Sequence, residues 1–596
     1  MCGIVGYVGD GNALEVLTTG LSGLEYRGYD SAGVALGNGR LAVYKRAGEL
    51  AELEDTLEDV DADGVRVGIG HTRWSTHGPP TDANAHPHTD AAGRVAVVHN
   101  GIIENYAALR EELSAAGVAF ESDTDTEVVP HLIARNLERG MAPERAFRAA
   151  IGRLEGSYAI AATVAGSEVV HAARKESPLV IGLGEGATYL ASDVPAFIEF
   201  TDRVIYLEDD QFARLDAGGA VVADADGAVL DPPVDTIEWD PEDAGKSGYD
   251  HYMLKEINEQ PSALRDCLRG RIDGLEGSVH LEELAGLEPS GPIQLVACGT
   301  SYHAALFAAG MFRRRGIHAD AFIASEYHAD RLPVDADTLV VGVTQSGETA
   351  DTMRALREAN RAGARTLAVT NVVGSSAARE CDRTLYIRAG PEIGVAATKT
   401  FASQQLALAL VVAELTGSSH GLVDELRDVP DAVQTVLDTS RASEVADAYV
   451  DADAYFFIGR GYQYPVALEG ALKMKEITYR HAEGFAAGEL KHGPLALVTE
   501  ETPVFALVTG EGELARKTVG NVKEVEARGA PVVAVSDGRT EVDRYADELL
   551  SVPEIGEIGA AVAANVQLQL VSYWVANSLG RSIDRPRNLA KSVTVE

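Results

Sequence analysis

Cys2 directly follows the initiator Met1. Removing Met1 leaves Cys2 with a free α-amine, which can take the thiol proton directly or through water, so nucleophile and general base share one residue. Taken alone, Cys2 is equally well a small hydrophobe opening a strand. Asn100 and Gly101 follow the apolar run Val95–Val98, which places an amide side chain and a glycine N–H at a strand end, donors that suit a tetrahedral oxyanion. Arg73, with Thr76 and His77 nearby, offers a guanidinium fork for a carboxylate, and Asp125 offers a partner for an ammonium. Together these groups describe hydrolysis of an amino-acid side-chain amide.

A second set is rich in hydroxyls. Thr300 and Ser301 follow the run Gln294–Ala297, and Thr344, Gln345, Ser346 and Thr349 follow Leu339–Val343. Each loop is expected to open a helix, where backbone N–H groups and the helix dipole favour an anion. Gly299 and Gly347 allow close approach. The chemistry implied is binding of a phosphoester; the alternative is that these hydroxyls only cap their helices.

The elements that carry these residues fall into two textures. Residues 1–230 hold short β-like runs (Ile4–Val8, Ala32–Leu36, Val65–Ile69, Val95–His99, Tyr158–Val164, Thr188–Ala191). Helical stretches lie near Tyr106–Ala116 and Thr126–Arg139, the second with capping-box spacing from Thr124 to Glu127. That order predicts an α+β unit with mostly antiparallel sheet. Asp231–Lys246 reads as a linker, followed by a helix from Tyr252 interrupted at Pro261. From about residue 290, buried strands alternate with long helices, and three strand-and-loop pairs recur in the same order about 160 residues apart. Two doubly wound domains are expected, over 288–430 and 440–580. The second-copy loops carry Arg460, Tyr462, Glu511 and Glu513, and two glutamates there repel a phosphate, so one phosphoester site is expected, in the first copy.

Composition bounds the rest. The 596 residues, 46% hydrophobic, suggest about three or four domains. With 91 Asp+Glu against 51 Lys+Arg, the net charge is −40, which argues against nucleic acid and anionic membrane surfaces as partners. The acid is dispersed and only eleven of the basic residues are Lys, a balance that reads as adaptation to high salt, where self-repulsion is screened. Four scattered cysteines (Cys2, Cys267, Cys298, Cys381) make no disulfide framework and, with no secretory signal, fit a reducing cytoplasm. The apolar stretch Ile558–Leu579 contains Asn565, Gln567, Gln569 and Asn577 and is expected to be a buried helix rather than a membrane span. His71, His77, His86, His88 and His99 lack zinc-ligand spacing; proton sharing within the first domain is the expectation, with no metal and no cofactor.

Several motifs, in one order over essentially the whole chain, resemble the glutamine–fructose-6-phosphate aminotransferase (isomerizing) family. They are Cys2-Gly-Ile-Val-Gly6, Arg27-Gly-Tyr-Asp-Ser-Ala-Gly33, His71-Thr-Arg-Trp-Ser-Thr-His-Gly78, Asn84-Ala-His-Pro-His88 and His99-Asn-Gly-Ile-Ile-Glu-Asn105 in the first half. In the second half they are Cys298-Gly-Thr-Ser301, Gln345-Ser-Gly-Glu-Thr349, Glu392-Ile-Gly-Val395, Glu469-Gly-Ala-Leu-Lys473, Glu489-Leu-Lys-His-Gly-Pro494 and the tail Arg587–Glu596. The resemblance implies an Ntn-hydrolase αββα sandwich at 1–230, a linker and connecting helix at 231–287, two sugar-isomerase (SIS) domains and a catalytic tail at 581–596. It implies conversion of fructose 6-phosphate and glutamine to glucosamine 6-phosphate and glutamate, the first step of amino-sugar biosynthesis, in the cytoplasm.

By the same resemblance, Cys2 attacks the glutamine δ-carbonyl, Asn100 and Gly101 form the oxyanion hole, Arg73 clamps the α-carboxylate, Asp125 holds the α-ammonium, and Trp74 gates an internal ammonia channel. Ser301, Gln345, Ser346 and Thr349 bind the sugar phosphate, with Thr344 where a serine is usual. Lys591 forms a Schiff base with the ketose, Glu476 moves a proton between C1 and C2 with Lys473 one turn away, and His492 opens the ring from a neighbouring subunit, which implies a homodimer. Read only as residues, Trp74 is equally a core aromatic, and Lys473 with Glu476 a surface ion pair. Another class II amidotransferase, or a non-catalytic SIS sugar-phosphate sensor, is the alternative function; a sensor needs neither Cys2 nor Lys591.

Overall fold

Alternation along Val95–Ile103 sets the first unit's layers. Val95 and Val97 pack outward with Leu132 and Phe147, while Ala96 and Val98 pack inward with Ile4 and Ile69. Ile160 and Ala162 against Ala159 and Ala161 repeat the pattern on the neighbouring strand. A period of two on a strand buried on both faces produces a layer with helices on one side and a second sheet on the other.

The computed structural model describes residues 2–75, 77–237, 245–273, 276–287, 290–417 and 419–594. The chain divides into two units, one of Met1–Ala244 with Ala590–Glu596 and one of Gly245–Leu589. In the first, an eight-stranded sheet runs in the order Asp235–Thr236, Arg203–Tyr206, Val180–Leu183, Ala187–Ala191, Gly3–Gly9, Val67–Arg73, Ser31–Asn38, Arg40–Ala47. A seven-stranded sheet runs Val229–Leu230, Gly219–Ala223, Phe212–Asp216, Val170–Lys175, Gly156–Val164, Val95–Ile103, His88–Thr89. All pairings in both are antiparallel. The helix Ala13–Leu24 covers the outer face of the first sheet, where Gly68 and Gly70 leave room for Leu17 and Leu21. Helices Val128–Glu138 and Pro143–Ile151 cover the second. This is the expected αββα sandwich.

The capping box at Thr124–Glu127 does not form. Glu127 precedes the helix Val128–Glu138 but makes no cap bond. Its carboxylate turns back onto three donors of the preceding turn, Glu121 N (2.8 Å), Ser122 N (2.7 Å) and Ser122 Oγ (2.6 Å), and the Thr124 hydroxyl is shared with Ser122 and His88. Part of the expected linker, 238–244, lies outside the described residues. After it, the chain breaks at Glu259, between helices Tyr252–Asn258 and Gln260–Leu268, so Pro261 sits in the first turn of the second helix, where its missing N–H costs nothing.

The second unit holds two five-stranded parallel sheets of identical order. The first runs Ala319–Ile323, Ile293–Ala297, Leu339–Val343, Arg365–Thr370, Arg383–Tyr386; the second runs His481–Ala486, Ala454–Gly459, Val504–Val508, Val532–Ser536, Glu548–Ser551. The duplication seen in the sequence is therefore a duplication of fold. In each sheet the chain's first and third strands are neighbours and their connections leave in opposite directions, the switch point at which doubly wound sheets open a crevice. The loops Cys298–Ser301 and Thr344–Thr349 leave the two strands that flank the first switch point. Helix Glu557–Ser578 is, among the described residues, the one long and apolar enough to cross a membrane; 94% of its apolar window is buried in the protein, as expected of a core helix.

Candidate functional site

Cys2 precedes the central strand Gly3–Gly9, whose pairing of Gly3 with Thr72 brings it beside the end of Val67–Arg73. The thiol accepts from Trp74 N–H (3.2 Å) and lies 3.5 Å from Trp74 O. Ser75 N–H donates to Asp30 (2.8 Å), which fixes the turn beyond Trp74. Trp74 itself is half-buried, edge-on to Tyr29 with ring centres 5.5 Å apart. Burial pushes the Cys2 thiol up from its ordinary value, against the nearby charges of Arg73 and Arg27. A thiol so placed is protonated at neutral pH and needs a base before it can attack.

The thiol opens into a cavity of about 750 Å³, counted with its open mouth. Of the residues expected there, Cys2, Arg73, Trp74, His77, Asn100, Gly101 and Asp125 all line it. Thr76 lies outside the described residues. Asn100 donates to the Cys2 carbonyl (2.8 Å). Gly101 has φ 129°, and a Cβ there would stand 2.1 Å from Ser157 O, so the position excludes side chains. Arg73 is buried, and its Nη2 donates to the carbonyls of His77 and Gly78. Its Nη1 is buried with no partner among the described residues. A buried, unpaired guanidinium nitrogen is costly unless an anion completes it. Asp125 accepts from Ile103 N–H (2.8 Å) and lies 3.3 Å from Thr126 Oγ1.

Two contributions were not anticipated. Arg27 donates to the Cys2 carbonyl (3.3 Å) and is held by Asp193 (2.8 Å), to which Tyr26 also donates (2.6 Å). Arg27 stood inside a recognised motif, whereas Asp193 carried no signal. The tail residues Ala590, Ser592, Val593 and Thr594 line the same cavity, within the same unit as Cys2.

The histidines form a packed cluster. His71 stacks on His86 at 4.3 Å and His86 meets His88 at 4.6 Å; His99 bonds Thr126 (2.8 Å). Burial lowers all four, His71 to about 3, and lowers His171 to about 4. They stay neutral when folded, while unfolded histidines take up protons below about pH 6.5. The contributions of His71 and His171 are complete above that pH and are lost as pH falls toward about 3 and about 4, and His86, His88 and His99 act in the same direction. The melting temperature should therefore drop steeply between about pH 6.5 and 5, measured in concentrated KCl to damp self-repulsion. His171 stacks on Phe147 and its Nδ1 has no partner among the described residues, so His171→Phe should flatten that slope; an unchanged slope would refute its share.

In the second unit the hydroxyl loops are already partly engaged. Thr300 donates to Glu469 (2.9 Å) and accepts from Lys473 (3.1 Å), so its hydroxyl is spent on the helix Gln463–Thr478 rather than left for a phosphate. Ser301 accepts from Gln404 (3.0 Å). Thr344 accepts from Gly347 N–H (3.2 Å) and meets Thr349 (3.2 Å); Ser346 accepts from Glu348 N–H (3.2 Å). Gln345, Ser346 and Thr349 remain half-buried at the loop surface.

Lys473 and Glu476 are not a surface pair. Lys473 is 1% exposed, 2.5 Å from Glu476 and 3.4 Å from fully buried Glu469, which also accepts from His303 (2.7 Å). Burial opposes the Lys473 charge, but the two carboxylates outweigh it and raise its pKa; Lys473 and His303 in turn lower that of Glu469. Four ionisable groups on two facing helices are thus locked into one hydrogen-bonded and ion-paired cluster. His492 ends the turn Glu489–His492 and is exposed, and Lys591 is half-buried.

Comparison with known proteins places these features in a family context. A SIS domain model matches residues 286–414 and 448–579, and a glutamine amidotransferase domain model matches 71–199. The chain is 53% identical to a glutamine–fructose-6-phosphate aminotransferase (isomerizing) of Halobacterium salinarum and 50% identical to one of Symbiobacterium thermophilum, each over the full length of both chains. Among solved structures, the C-terminal domain of glucosamine-fructose-6-phosphate aminotransferase from Francisella tularensis is 36% identical, with a TM-score of 0.53, covering 57% of this chain and all of that one.

Proposed function

The chain belongs to the glutamine–fructose-6-phosphate aminotransferase (isomerizing) family, and from that premise we propose how its residues divide the reaction. It is an aminotransferase of class 2.6.1 that converts fructose 6-phosphate and glutamine to glucosamine 6-phosphate and glutamate. The observation that carries the division of labour is the Cys2 cavity, where a thiol, amide donors and an unpaired buried guanidinium nitrogen converge.

Once Met1 is removed, the Cys2 α-amine takes the thiol proton and Sγ attacks the δ-carbonyl of glutamine. Asn100 Nδ2 and Gly101 N–H receive the oxyanion. Arg73 Nη1 pairs with the α-carboxylate and Asp125 with the α-ammonium, and Thr76 and His77 complete the glutamine pocket. Ammonia leaves, and water cleaves the thioester to glutamate. Trp74 gates passage of the ammonia, a role supported by its half-buried place in the lining of the Cys2 cavity.

Ser301, Thr344, Gln345, Ser346 and Thr349 hold the sugar phosphate at the switch point, and Thr300 orients Glu469 and Lys473. Lys591 forms the Schiff base with the open-chain ketose. Glu476 moves the proton between C1 and C2, with the Lys473 ammonium 2.5 Å away. His492 opens the ring from the partner in a homodimer; its exposure in the single chain supports a role completed by another copy. A fully active monomer in sedimentation would remove that role.

The domains follow as 1–230, 231–287, 288–430, 440–580 and 581–596, in a cytoplasmic enzyme. Supplying glutamine and fructose 6-phosphate and assaying glucosamine 6-phosphate tests the whole assignment; no product from protein with intact Cys2 would overturn it.

A further inference from the structure

The amide of Asn100 must face one way to act as a donor, since a reversed amide presents its oxygen to the reacting carbonyl. Its Nδ2 donates to the Cys2 carbonyl at 2.8 Å, and its Oδ1 stands 2.9 Å from His71 Nε2. The same Nε2 is 3.1 Å from the His99 carbonyl oxygen. A main-chain carbonyl only accepts, so His71 Nε2 carries a proton, and the Asn100 atom facing it has to be the acceptor Oδ1. Reversal would set oxygen against oxygen at Cys2 and N–H against N–H at His71. One Nδ2 hydrogen is then committed to Cys2 and the other is left for the oxygen of a bound amide.

We infer that His71 is a positioning residue for the glutaminase step, fixing the Asn100 amide with its donor end toward the reacting carbon. His71 is fully buried, its ring is stacked on His86 at 4.3 Å, and it does not line the cavity, so it acts through Asn100 rather than on substrate. The packing of the two sheets brings them together: His71 sits on Val67–Arg73 of one sheet and Asn100 on Val95–Ile103 of the other, and their hydrogen bond joins the sheets. The inference rests on Asn100 serving as the oxyanion donor.

The test uses the full chain. His71→Leu removes the donor at similar volume and His71→Gln restores an N–H. His71→Leu should lower glutaminase kcat by about 30-fold or more, with KM for glutamine within about threefold, because the bond matters once the oxyanion forms. Alkylation of Cys2 by iodoacetamide, which needs the thiol but no oxyanion hole, should stay within about twofold of the parent rate, and ammonia-dependent synthesis should persist. His71→Gln should recover most of the lost kcat. Unchanged kcat in His71→Leu, a loss seen equally in alkylation, or a His71→Gln protein no better than His71→Leu would each overturn the inference. Asn100→Ala separates the two layers. If it keeps its kcat, the oxyanion assignment falls and this inference with it; if it loses kcat while His71→Leu does not, only this inference falls.

Discussion

Cys2→Ala is expected to abolish glutamine-dependent synthesis, by at least about a thousandfold, while synthesis from high concentrations of ammonia stays within about threefold of the parent. The asymmetry follows from where the thiol sits. It belongs to the first unit, bonded to Trp74 N–H and lining a cavity whose described walls are all from that unit, whereas the parallel sheets and their hydroxyl loops fold as the second. Loss of one sulfur leaves the sandwich core untouched and leaves Arg73 and Asp125 to bind glutamine without cleaving it. Paired assays with glutamine and with ammonium salts make the comparison. If both activities vanish from a folded protein, the separation of amide hydrolysis from sugar chemistry is wrong.

Lys591→Ala should do the reverse. Synthesis should fall by at least about a thousandfold from either nitrogen source, because no other amine replaces a Schiff-base lysine, while glutamine hydrolysis should fall by no more than about tenfold. The second figure comes from the tail. Ala590, Ser592, Val593 and Thr594 line the Cys2 cavity but Lys591 does not, so shortening its side chain leaves that wall standing. Trapping with borohydride in the presence of fructose 6-phosphate gives an independent readout: the parent should gain the mass of the reduced sugar adduct and the variant should not. Retained synthesis in Lys591→Ala would exclude the Schiff-base role.

The layers of the first unit were legible because period-two alternation survives burial on both faces, as at Val95–Val98. The duplicated sheets were legible because buried parallel strands read as unbroken apolar runs. Arg40–Ala47 escaped notice because it is an edge strand with Arg40, Lys45 and Arg46 along it, a composition that blunts an edge and hides a strand. The capping box at Thr124 failed because three donors in the preceding turn competed for Glu127.

At the site, residue types were visible but their engagements were not. Thr300 carries the same hydroxyl whether it faces a phosphate or Glu469, and only the crossing of two helices decides. The direction of the Asn100 amide depends on His71, 29 positions away and in another sheet. Lys473 and Glu476 at a spacing of three look identical on a surface and in a core; burial distinguishes them.

The cavity at Cys2 is also tethered. Ala590, Ser592, Val593 and Thr594 form part of its wall, and the chain reaches them from Leu589, the last residue of the parallel-sheet unit. Local opening of those few residues would unmake the cavity while both antiparallel sheets stay folded, so hydrogen exchange at 590–594 reports on the pocket separately from the sandwich.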